Sequence, residues 1–124
     1  MTLNEFINEE RKIEKATGCK IDINTCTTYV GQGYYQLHTK TGVYDLPFRL
    51  TEDEEKRLFM LEYIKKFIVF LNSVDFDEYC NVFLGHIQIA RMAIKEDFEV
   101  KFFSKYPQWL KYLTYNPFKT IVRR

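Results

Sequence analysis

The sequence predicts an α+β domain: an N-terminal helix, a three-stranded antiparallel β-meander, then a helical C-terminal half packed on one sheet face. Three observations predict it. Apolar residues recur at helical spacing before Gly18, switch to a period of two after Lys20, and return to helical spacing after Thr51. Glycines mark the turns between the short β-rich runs. No internal repeat and no Pro/Gly/Ser linker divides the 124 residues, so residues 1–124 read as one domain.

Residues 1–18 form the first helix. Thr2 and Glu5 make a capping box, in which the Thr oxygen takes an orphan amide and the Glu reaches back to the cap's own N–H. Leu3, Phe6, Ile7, Ile13 and Ala16 lie at helical spacing, and Gly18 supplies a left-handed stop.

Residues 20–50 carry the meander. Ile21, Ile23, Thr25 and Thr27 alternate with Asp22, Asn24 and Cys26, and Thr28, Tyr29 and Val30 extend the run. Gly31-Gln32-Gly33 reads as a turn before a second strand over Tyr34–His38. Thr39-Lys40-Thr41-Gly42 is the next turn, and Val43–Phe48 the third strand. Pro47 cannot donate to a ladder, so it makes that strand an edge or ends it.

Residues 51–124 are mostly helical. Thr51 and Glu54 form a second capping box, with four acids on the positive end of the helix dipole. Leu58, Phe59, Leu61, Ile64, Phe67, Ile68 and Leu71 cover most of that helix, leaving Glu55, Glu62 and Lys66 as a narrow polar stripe; it is the central core helix. Asp75 and Glu78 cap a third helix, flanked by Val74 and Tyr79 at staple positions. Its seam is Phe76, Cys80, Phe83, Ile87, Ala90 and Ile94, with Gly85 on the polar side. Residues 96–104 fit a strand or a continued helix equally. Pro107 opens a short last helix that ends before Asn116-Pro117.

No catalytic or metal site is legible. Cys19, Cys26, Cys80, His38 and His86 lack the short ligand spacings of zinc sites, and His86 beside Val82 and Ile89 reads as a core-edge histidine. Cys26 and Cys80 read as small buried hydrophobes. Neither serine sits in a nucleophile elbow, and Gly31-Gln32-Gly33 lacks the third glycine of a dinucleotide fingerprint. The acids of residues 52–55 and 75–78 are what helix N-termini favour. No cofactor is expected.

Over residues 3–72 the element order resembles that of the double-stranded-RNA-binding domain. That family meets phosphates with a Lys-rich start to its second helix, where this chain has Glu52-Asp53-Glu54-Glu55. The resemblance covers element order alone, and the chain is not assigned to the family.

Lys+Arg 18 against Asp+Glu 17 gives a net charge of +1, but the charge is segregated. Residues 51–100 carry six basic and eleven acidic side chains, whereas residues 101–124 carry six basic and none acidic. Phe102, Phe103, Tyr106, Trp109, Tyr112, Tyr115 and Phe118 are interleaved with those cations. Such a segment either packs on the domain, offsetting its acidic middle, or meets a partner. Trp, Tyr and cations are residues that carry protein interfaces onto acidic targets, and the same types stack bases and track phosphates.

The expected function is therefore a small non-enzymatic binding protein, an inhibitor or adaptor acting by stoichiometric interaction with a larger protein that offers an acidic surface. Lys105, Trp109, Lys111, Tyr112 and Lys119 are the expected partner-contact residues. Nucleic-acid binding through the basic-aromatic end is the alternative, and an enzyme with a dispersed site the second. The opposed charges of residues 51–100 and 101–124, with the seam of the third helix, also allow a homodimer. Alanine occurs only at positions 16, 90 and 93, a bias fitting an AT-rich genome such as that of a low-GC bacterium or its phages, and the binder is expected to be phage or mobile-element encoded. Met1–Glu5 lacks the basic and apolar regions of a signal peptide. Phe67–Leu71, the longest dense apolar run, falls far short of the roughly 20 residues of a membrane span. The odd number of cysteines fits a reducing compartment, so a cytoplasmic protein without membrane contact is expected.

Overall fold

The computed structural model describes residues 1–23, 34–49 and 51–112. Cys26, the Gly31-Gln32-Gly33 turn, Tyr115, Phe118 and Lys119 lie outside the described residues. The described elements are α1 (Leu3–Thr17), β1 (Lys20–Ile23), β2 (Tyr34–Thr39), β3 (Gly42–Arg49), α2 (Glu54–Ser73), α3 (Phe76–Val82), α4 (Ile87–Lys105) and a 3₁₀ turn over Pro107–Tyr112. The α+β architecture is the one expected, a β1-β2-β3 antiparallel sheet with helices packed against it.

Local chemistry sets the first elements. Thr2 and Glu5 exchange both capping-box hydrogen bonds, at 3.2 and 3.0 Å, and Gly18 closes α1 at φ 74°. The pleat sends Tyr35 and Leu37 of β2, and Tyr44, Leu46 and Phe48 of β3, to the helix-covered face, where all are buried. Pro47 sits inside β3, which is an edge of the sheet and tolerates the missing donor. The N-terminal half of α4 lies beside that edge: the Arg91 guanidinium donates to the Thr41 carbonyl at 3.0 Å and the Lys95 ammonium to the Asp45 carbonyl at 2.8 Å.

α2 is the core helix, with Phe59, Met60, Leu61, Tyr63, Ile64, Phe67 and Ile68 buried. Two expectations there are corrected. Asp53, not Thr51, caps the helix, accepting from the Glu55 and Lys56 amides, while Thr51 Oγ1 accepts from the Asp53 amide. Leu58 is exposed, because the sheet and α4 cover the helix without enclosing it.

The third helix is not continuous. α3 ends at Phe83, Leu84 turns into the left-handed region at φ 56°, Gly85 follows at φ 84°, and α4 begins at Ile87. The amides of Gly85 and Leu84 donate to the carbonyls of Cys80 and Asn81, at 2.7 and 3.1 Å. This is a Schellman stop with leucine where glycine is favoured, a placement that costs roughly 1–2 kcal/mol. Gly85 is thus a turn residue rather than a mid-helix one. The expected seam is broken with it: Phe83 and Cys80 are half-buried, Ile87 is exposed, and only Ala90 and Ile94 are buried. His86 stands exposed at the N-cap of α4 instead of at a core edge.

Residues 96–104 are helix. As a strand, Phe98, Val100 and Phe102 would share one face. In α4 Phe98 and Phe102 fall one turn apart and are buried, and Val100 is exposed. No helix among the described residues is long and apolar enough to cross a membrane.

Candidate functional site

The C-terminal halves of α2 and α4 present matching ridges. Lys66, Val69, Phe70 and Ser73 lie at i, i+3, i+4 and i+7 on α2, and Phe98, Lys101, Phe102 and Lys105 repeat that spacing on α4. Residues so spaced share a helix face, and the two faces with Tyr106 enclose an open groove of about 250 Å³. Its floor is aromatic: the Phe98 ring centroid lies 5.7 Å from Phe70 and 5.4 Å from Phe102.

Three lysines rim this floor. The Lys101 ammonium sits 5.2 Å from the Phe70 ring centroid and the Lys105 ammonium 5.7 Å from that of Tyr106, distances at which a cation is drawn to the ring face. Lys66 stands 4.0 Å from Glu62, whose Oε2 also accepts from the Tyr106 hydroxyl at 3.4 Å. Lys101 and Lys105 form no ion pair among the described residues. The groove therefore combines apolar surface with two uncompensated positive charges on rigid helices.

The expected contact residues divide between two places. Lys105 belongs to the groove. Trp109 stacks on Tyr106 with ring centroids 4.9 Å apart and planes at 22°, and also meets Phe59 and Phe102. Tyr112 stacks on Phe59 at 5.5 Å, and its hydroxyl donates to Glu55 Oε2 at 3.0 Å. Lys111 pairs with the same carboxylate oxygen at 3.6 Å. These three close the N-terminal half of α2, while Lys119 lies outside the described residues.

Sequence alone does not single out Lys66 or Lys101. Lys66 reads as polar stripe and Lys101 as one charge among six; only the pairing of α2 with α4 brings them together. The repeated spacing on the two helices is the signal that identifies them once that pairing is known.

One buried acid stands apart from the groove. Glu99 is 1% exposed, and burial pushes its carboxyl up to about 7. Tyr63 donates to its Oε2 at 3.0 Å, and Oε1 has no partner among the described residues. A raised carboxyl can mark general acid chemistry, but this one is closed off from any substrate. Among the described residues no three His, Cys, Asp or Glu side chains group closely enough to hold a metal ion.

No protein-family model, curated protein or solved structure matches this chain.

Proposed function

We propose that the protein is a non-enzymatic, stoichiometric binder, an inhibitor or adaptor, that docks an acidic surface of a larger protein partner on the α2–α4 groove. The observation that carries this reading is the pair of unneutralised ammonium groups, Lys101 and Lys105, held over aromatic faces beside an apolar floor. Carboxylates of a partner would meet the lysines while a neighbouring apolar side chain enters between Phe70 and Phe102. Charge of this kind sets on-rate and partner choice, and the desolvated apolar contact holds the complex.

Base stacking draws less support, because Trp109 and Tyr112, the rings best suited to it, already stack within the molecule. The alanine-poor composition fits an AT-rich source, a low-GC bacterium or a phage of one, and the reading puts the complex in the cytoplasm. Two copies joined through opposite charge are the remaining partner arrangement, which light scattering across salt concentrations detects.

Capture from a nuclease-treated cytoplasmic lysate tests the reading. Wild-type protein should retain one protein in equimolar amount, and a chain with Lys66→Glu, Lys101→Glu and Lys105→Glu should lose it. A catch that vanishes with nuclease, or that the triple variant retains in full, overturns the reading.

A further inference from the structure

A second surface of the helical layer carries the opposite charge. α3 and the middle of α4 flank a cleft of about 560 Å³ lined by Tyr79, Val82, Phe83 and Ala93, with Glu78, Glu96 and Asp97 as its only charged residues among those described. The Tyr79 hydroxyl donates to Asp97. None of the three carboxylates forms an ion pair among the described residues.

Beside this cleft the last residue of α3, the turn and the first residue of α4 display large apolar side chains to solvent. Leu84 is 88% exposed, Val82 68% and Ile87 51%. Scattered exposed leucines need no explanation, but three within six residues form a patch of the kind that interaction sites show. Leu84 adds an independent sign. It occupies the left-handed position of a Schellman stop, which glycine fills without strain, and gains no packing there. An unfavourable backbone state that serves only to hold out a leucine points to a use for that leucine.

We infer that the α3–α4 edge is a second docking surface, and that its occupant is a basic amphipathic helix of a partner protein. The charge selects the occupant. An apolar cleft bordered by three carboxylates that no cation neutralises among the described residues repels acidic segments and accepts lysine or arginine along the rim of an inserted apolar face. The inference is independent of the lysine groove, since the two surfaces share no residue and oppose each other in sign.

The test uses ¹⁵N-labelled full-length protein and a synthetic amphipathic helical peptide of leucine and lysine. A leucine–glutamate peptide of the same pattern is the control. The lysine peptide should bind saturably, one per chain, with amide shifts concentrated between Tyr79 and Asp97; the glutamate peptide should not bind. Leu84→Asp and Glu96→Lys should each weaken binding about tenfold or more. Leu84→Gly, which suits the left-handed position, should raise Tm while still weakening binding. Failure of the lysine peptide to bind, equal binding of the two peptides, shifts elsewhere, or undiminished affinity in the folded Leu84→Gly chain would each overturn the inference. So would self-association of the peptide-free protein that Leu84→Asp abolishes, since the occupant would then be a second copy.

Discussion

The Tyr63 hydroxyl reaches Glu99 Oε2 across 3.0 Å within the apolar core, Phe98 and Phe102 lying 5.0 and 5.4 Å from the Tyr63 centroid. A carboxylate there loses its hydration and regains one neutral hydrogen bond, so the protonated form is favoured in the folded chain.

That preference makes stability depend on pH. Glu99 titrates near 7 when folded and near 4.5 when exposed, so between those values the folded state alone keeps the proton. Stability from this group is complete below about pH 4.5, declines as pH rises, and is exhausted above about 7; the loss is on the order of 3 kcal/mol. Glu99→Gln keeps an acceptor for Tyr63 without the charge. It should raise stability at pH 8 by roughly 1–3 kcal/mol and flatten the profile in urea melts. Glu10, half-buried and raised to about 7 by burial and then by Glu14, should leave a slope of the same sign that persists in Glu99→Gln. An unchanged profile in Glu99→Gln contradicts the assignment.

Phe98→Ala and Phe83→Ala should differ sharply. Phe98 touches the rings of Tyr63, Phe67, Phe70 and Phe102 and is buried, so its loss should cost about 3–5 kcal/mol. Phe83, half-buried at the end of α3, should cost about 1 kcal/mol. Comparable losses in denaturant melts would restore Phe83 to the core and refute the helix break.

What was legible in the sequence was local. Thr2 with Glu5, Gly18, and Asp75 act within a turn of themselves, and each is where its residue type predicts. The stop at Leu84 was not, because leucine prefers to continue a helix and Phe76, Cys80, Phe83, Ile87, Ala90 and Ile94 keep helical spacing across the break. The groove was half legible. Lys105 lies in a visible run of cations, whereas Lys66 gains meaning only from the packing of α2 on α4, which no short-range pattern encodes.

Trp109 and Lys111 should report on folding rather than on partner affinity. Removing the indole from its stack on Tyr106 and its tilted contact with Phe59 should cost about 2–4 kcal/mol in Trp109→Ala. Lys111→Glu brings a second acid beside Glu55 at an exposed site, so thermal melts should record a loss of no more than about 1 kcal/mol. Neither the fold nor the groove explains a result in which Lys111→Glu abolishes binding while Lys105→Glu leaves it intact.

The most direct measurement is the affinity of the captured partner across ionic strength, for wild-type protein and for the Lys66→Glu, Lys101→Glu, Lys105→Glu chain. Wild-type binding should weaken steeply as salt rises. The folded triple variant should bind at least about tenfold more weakly at low salt and lose most of that salt dependence. A triple variant that folds, binds with wild-type affinity and keeps the wild-type salt slope would contradict the assignment of the α2–α4 groove as the docking site.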